Sequence, residues 1–254
     1  MTIVVVPYHQ DERLADKRIP LPDNGEFLVL DPPLPDGDIW GRLAALDDIA
    51  ADQIAAVVRT GKPTTVLSGD CLVSMAVLAG ARRAGVDPGV VWFDAHGDLH
   101  TVESSTSGYL GGLSLRLLLG GNPDRLAAPL GVLPVTEERT LLVDARDLDP
   151  PEADFLRTSR VRHTAVSGLD AGALPEGPLI LHVDLDVVDP AELTGVLFPA
   201  PGGPSAAQTV DAVRRVLATG RVTVLDIACP WHPARGPREQ QDRTELLRAL
   251  ISQR

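Results

Sequence analysis

Three short stretches concentrate Asp, His and Cys directly after apolar runs. Val90-Val91-Trp92-Phe93 runs into Asp94-Ala95-His96-Gly97-Asp98. Leu179 to Val183 runs into Asp184-Leu185-Asp186, then Asp189-Pro190. Thr64 to Leu67 runs into Ser68-Gly69-Asp70-Cys71. Residues two apart on a strand point to the same side, which projects Asp94, His96 and Asp98 together if the strand persists, and Asp184 with Asp186. Carboxylates then converge at the end of an apolar sheet. Ionised together they repel one another, and desolvating them is costly. Divalent cations remove the conflict, and carboxylate plus imidazole suits Mn, Zn, Fe or Co better than Ca.

Taken singly, several of these residues have plainer uses. Asp70 fits a helix cap, and Asp189-Pro190 fits a turn start. His182, inside an apolar strand, reads as a core or supporting imidazole, and His9 and His163 as structural or exposed. The Asp94–Asp98 and Asp184–Asp186 groups are harder to dismiss, because acidic residues are rarely buried without partners.

The elements that must position these groups are short apolar runs alternating with helix-like windows. Strands are expected at Ile3–Val6, Phe27–Leu30, Thr64–Leu67, Val90–Phe93, Thr140–Val143, Leu179–Val183 and Val222–Leu225. Most are apolar on both faces, as in a parallel sheet covered on both sides. Helices are expected over Asp47–Thr60, Cys71–Ala84, Ser205–Ala218, with Ser205 as N-cap, and Thr244–Ile251. The alternation predicts an α/β layer architecture. In such sheets ligands bind beyond the carboxyl ends of the strands, where all three motifs fall. Pro190–Ser205 reads as a loop over the sheet edge, and no linker-like tract divides residues 1–254, so one domain is expected.

Composition narrows the function classes. Apolar residues make up 44% and charged residues 23%, ordinary for a globular protein. With 35 Asp plus Glu against 23 Lys plus Arg, the net charge of -12 argues against nucleic acid and anionic membrane surfaces as partners. Two cysteines, Cys71 and Cys229, make no disulfide framework, which favours a reducing compartment. Met1–Val6 lacks the basic start and length of a secretory signal, so a cytoplasmic location is expected.

The motifs resemble those of the ureohydrolase family of arginases, agmatinases and formimidoylglutamases. Asp94-Ala95-His96-Gly97-Asp98-Leu99-His100-Thr101 is similar to its DAHxDxxT pattern, and Asp184-Leu185-Asp186-Val187-Val188-Asp189-Pro190 to its DxDxxDP pattern. Gly69-Asp70-Cys71 resembles its GDH, with Cys for His. Arg146-Asp147-Leu148-Asp149-Pro150 is similar to an arginase segment whose second Asp, here Asp149, reaches the substrate's amino group. The resemblance implies a single-domain, three-layer αβα sandwich with a mainly parallel sheet of about eight strands. It implies one or two divalent ions, usually manganese, with a bridging hydroxide that attacks a guanidinium or amidine carbon and releases urea or a related amide. Carried over residue by residue, Cys71, Asp94, Asp98 and Asp184 hold one ion. Asp94, His96, Asp184 and Asp186 hold the other, and Asp98 also handles the proton. A small guanidino or amidino compound is the implied partner, and a homo-oligomer the implied assembly.

Four departures shape the expected specificity. Cys71 is a softer donor that favours zinc, iron or cobalt. Gly111 takes the place of the arginase proton-shuttling His, for which His100 is the expected substitute. His100 and Tyr109 stand where arginases read a carboxylate with Asn; Ser107 and Tyr109 remain candidate substrate contacts. Cys229 stands where arginases hold the guanidinium with Glu, and a neutral thiol cannot form that charge-assisted pair. The chain is most similar to pathway ureohydrolases with Cys in the first motif, such as that of D-cycloserine biosynthesis. The expected activity is therefore an altered-specificity amidinohydrolase, with a hydroxyarginine-type compound as one candidate substrate. The competing class is an inactive homologue that serves in binding or assembly. Deacetylase-like amide hydrolysis fits the paired motifs less well.

Overall fold

The computed structural model describes residues 2–22 and 25–252. In chain order the strands are β1 (Thr2–Val6), β2 (Tyr8–His9), β3 (Glu12–Arg13), β4 (Glu26–Val29), β5 (Thr64–Ser68), β6 (Gly89–His96), β7 (Thr140–Asp147), β8 (Arg162–Thr164), β9 (Leu179–Asp184) and β10 (Val222–Ala228). The helices are α1 (Ile39–Val58), α2 (Ser74–Arg83), α3 (Ser114–Leu118), α4 (Pro150–Thr158), α5 (Ala206–Leu217) and α6 (Pro237–Ile251). Eight strands form one sheet in the order β4-β1-β5-β10-β9-β6-β7-β8, parallel at every pairing. β2 and β3 make a separate small hairpin.

Strand alternation divides the core into two. Val4, Val66, Val90, Trp92, Ile180 and Val224 enter one face with residues of α1, α2 and α3. Ile3, Val5, Leu67, Val91, Phe93, Leu181 and Leu225 enter the other with residues of α5 and α6. The three-layer α/β expectation holds, and its physical basis is the apolar content of both strand faces.

The differences from the expected elements have local causes. α1 begins at Ile39, not Asp47, because Asp38 caps it by accepting from the Gly41 N–H at 2.8 Å. α6 begins at Pro237, not Thr244, because Pro occupies its first turn, where its missing N–H costs nothing. The Cys71–Ala84 window is split: Cys71–Val73 forms a 3-10 turn capped by Asp70, and α2 starts at Ser74. β8 escaped the apolar pattern because it is a short edge strand of polar residues. Ser205 caps α5 as expected, in a reciprocal pair with Gln208. Among the described residues, no helix is long and apolar enough to cross a membrane.

Candidate metal centre

Three pieces of the carboxyl edge, two of them from the neighbouring strands β9 and β6 and one from β5 beyond β10, bring the motif residues together. Cys71 lies on the 3-10 turn after β5, Asp94 and His96 end β6, and Asp184 ends β9. Strand alternation does not account for the rest of the cluster. Asp98 leaves the strand in a left-handed conformation, with φ 52°. Asp186 sits on a 3-10 turn, Leu185–Val187, whose first N–H groups include one that Asp184 caps, accepting from Asp186 N at 2.8 Å. Tight turns thus do the converging that the period-2 pattern would assign to strands.

The resulting contacts are close. Cys71 Sγ donates to Asp184 Oδ2 at 2.8 Å. His96 Nδ1 lies 3.1 Å from Asp186 Oδ2 and 3.4 Å from Asp94 Oδ1. Trp92 Nε1 donates to Asp94 Oδ2 at 3.0 Å, and the Ala95 N–H to Asp186 Oδ1 at 3.2 Å. Donor atoms of Cys71, Asp94 and Asp98 all fall within 4.8 Å of one another, and so do those of Asp94, His96 and Asp186. Asp94 belongs to both groups. His182, as its strand setting implies, is a supporting residue. It is fully buried, pairs with Asp226 at 2.7 Å, and stacks on Trp92 at 3.6 Å.

Electrostatics show what the cluster lacks. Burial, then the neighbouring carboxylates, pushes Asp98 and Asp184 well above the usual carboxylate range. Burial and the Asp94 charge raise Asp186 to about 6. Burial, then Asp184, pushes up the Cys71 thiol. Burial opposes charge on His96, but Asp186 and Asp94 more than offset it and raise the imidazole to about 12. The protein alone therefore holds this cluster by keeping protons on acids. Divalent cations would replace those protons, and the S, N and O donors fit them.

The same chain matches known proteins along most of its length. The family model described as Arginase family covers residues 36–251. An arginase of Bacillus subtilis is 27% identical over 231 residues, covering 85% of this chain and 78% of that protein. An arginase of Eremothecium gossypii is 28% identical over 69% of this chain, and the match spans only 48% of that protein's length. The crystal structure of an arginase from Bacillus cereus superposes with a TM-score of 0.82, covering 99% of this chain and 96% of that one at 23% identity.

The chain belongs to the arginase family. In this family member, the Cys, Asp and His cluster lines a cavity of about 270 Å³ together with His100, Ser107, Tyr109, Gly111, Gly112, Asp147, Asp149, Glu152, Phe198 and Pro230. His100 Nε2 lies 3.0 Å from Asp149 Oδ2 and its Nδ1 lies 3.1 Å from Ser104 Oγ, so both ring nitrogens are engaged. With Tyr109 in this position a side chain at 111 is blocked: a Cβ there would lie 2.3 Å from Tyr109 Cε1. The Tyr109 ring fills that space, and its hydroxyl donates to Asp70 Oδ2 at 3.0 Å.

Of the eleven residues singled out from the sequence, Cys229 alone does not line this cavity. It follows β10, is 1% exposed, and donates its N–H to Ser68 O at 2.9 Å. Its chain neighbour Pro230 does line the cavity. His9, read from the sequence as structural or exposed, has its Nδ1 3.2 Å from Asp70 Oδ2 and its ring stacked on Tyr109 at 5.7 Å. Sequence reading missed Glu152, which accepts the Leu99 and Asp149 N–H groups at 3.0 Å each. Phe198 was missed too; its signal is a lone aromatic in a Pro/Gly-rich loop.

Proposed function

We propose that this chain is a metal-dependent amidinohydrolase that cleaves a C–N bond of a guanidino or amidino compound and releases urea, a substituted urea or the related amide. The observation that carries the reading is the pair of ligand groups sharing Asp94 within one cavity. The arginase names of the relatives support the reaction class. Cys71, Asp94, Asp98 and Asp184 would hold one ion; Asp94, His96, Asp184 and Asp186 would hold the other. Manganese is the family's usual ion, and the thiolate of Cys71 opens the site to zinc, iron or cobalt.

Bound ions would supply a water activated for attack at neutral pH. Asp98 accepts a proton from the attacking water and passes it toward the leaving amine. His100, aligned by Asp149 and Ser104, is the second proton-handling side chain. Ser107, Tyr109 and Asp149 contact the substrate. With Cys229 buried off the cavity, no carboxylate of β10 meets a guanidinium. This favours a modified guanidine, of the Nω-hydroxylated arginine type, over arginine.

Elemental analysis followed by a panel of guanidines, scored for urea and, from Nω-hydroxylated members, for hydroxyurea, tests the proposal. One or two ions per chain and urea or hydroxyurea from a panel member are expected. Tight metal with no turnover across the panel would favour a binding or assembly role instead.

A further inference from the structure

The cavity wall facing the ligand cluster is aromatic. Tyr109 and Phe198 stand 4.7 Å apart between ring centroids, tilted by 41°. Phe198 meets His96 edge-on at 6.4 Å. Tyr109 is tied to Asp70, next to Cys71 in the chain, and backed by the His9 ring. The ring pair thus reaches from the Cys71 side of the cluster to the His96 side. Gly111 is what admits the Tyr109 ring.

The other polar groups around the cavity have prior commitments. Asp149 is paired with His100, and both Glu152 oxygens accept backbone N–H groups. The inner carboxylates are those assigned to ions. No Lys or Arg lines the cavity, so it offers no side-chain cation to an anionic group. Besides Ser107, and Asp147 at the rim, what remains is the exposed ring of Phe198, packed on Tyr109, whose own ring lies between Phe198 and His9. The negative π-face of such a ring attracts cations within about 6 Å of its centroid.

We propose that Phe198, backed by Tyr109, forms an aromatic platform that binds the planar guanidinium or amidinium group of the substrate by cation–π contact. The proposal rests on the amidinohydrolase reading and names the group that receives the cation. Planarity suits a ring face, and the Pro/Gly-rich segment that carries Phe198 places its ring at the cavity mouth. Phe198 is 40% exposed, so its face can receive a ligand and its replacement leaves the core intact.

The test compares two probes of nearly equal shape, cationic ethylguanidine and neutral ethylurea, by titration calorimetry on the metal-loaded protein. Wild type should prefer the cation. Phe198→Leu, which keeps bulk but removes the π-face, should weaken ethylguanidine about fivefold and leave ethylurea unchanged. Phe198→Tyr should retain the preference. Equal losses for both probes would show a wall of bulk and overturn the platform, and so would no loss, or no binding of ethylguanidine by wild type. The urea panel separates the two ideas. Turnover with an unmoved probe ratio sinks only the platform, whereas a Phe198-dependent ratio without turnover sinks only the hydrolase reading.

Discussion

Asp94 is the residue on which both ligand groups depend. One of its oxygens faces His96 and the other accepts from the Trp92 indole. Asp94→Ala should abolish binding of both ions, whereas a change confined to one group, such as His96→Ala, should leave part of the metal in place. Metal per chain after desalting checks both, and full metal in Asp94→Ala would count against the assignment. Cys71 tests the softness of the other group. Cys71→His supplies a harder donor and should raise manganese occupancy relative to zinc. Unchanged manganese binding would mean that the thiol is not a ligand. The chemistry of these residues was legible in sequence because buried acids are rare and these stood beyond apolar strands. Tyr109 filling the place of a side chain at 111 was not legible, since it depends on a ring reaching back over a glycine two residues on.

At the scale of elements, Arg146 ties three segments together. Its guanidinium donates to Ala200 O at 2.6 and 3.1 Å, to Val187 O at 3.0 Å and to Asp186 O at 3.3 Å, and it pairs with Asp144. It thereby joins the end of β7 to the turn bearing Asp186 and to the loop bearing Phe198. Gly203 makes way for it: a Cβ there would lie 2.6 Å from Arg146 Cζ. Lysine cannot reproduce this fork. Arg146→Lys should cost about 2 kcal/mol of stability and weaken metal binding, although Arg146 touches no proposed ion. Thermal unfolding and metal titration read the two effects, and unchanged metal affinity would remove its positioning role. None of this was visible in the Arg146-Asp147-Leu148-Asp149 motif, because the acceptors are main-chain carbonyls whose location only the turns decide. Strand cores were legible through their apolar runs. The turns that aim Asp98 and Asp186 were not, because a left-handed aspartate and a 3-10 turn leave no periodic trace.

The whole molecule carries the electrostatic cost of its site when no cation is bound. Asp186 is raised from 3.8 to about 6 and His96 from 6.5 to about 12, so the folded protein binds more protons than the unfolded chain near neutrality. Stability then falls as pH rises. The Asp186 contribution is lost between about pH 4 and 6; that of His96 begins to fall above 6.5. Asp94, held low with His96 bonded to it, acts in the opposite sense only below its ordinary 3.8. Chelator-treated protein should unfold at a lower temperature at pH 8 than at pH 5.5, and metal should flatten or reverse that slope. A stripped protein that gained stability with pH would refute the account.

The position of β10 has a further consequence for synthesis. This strand, the last in sequence, wedges between β5 and β9 and so sets the spacing of Cys71 and Asp184. β6 and β9, by contrast, are direct neighbours. On the ribosome, the His96 side of the centre can therefore assemble once Asp186 has emerged, while the Cys71 side must wait for residues 222–228. The two halves would mature in a fixed order, with the Cys71 half second.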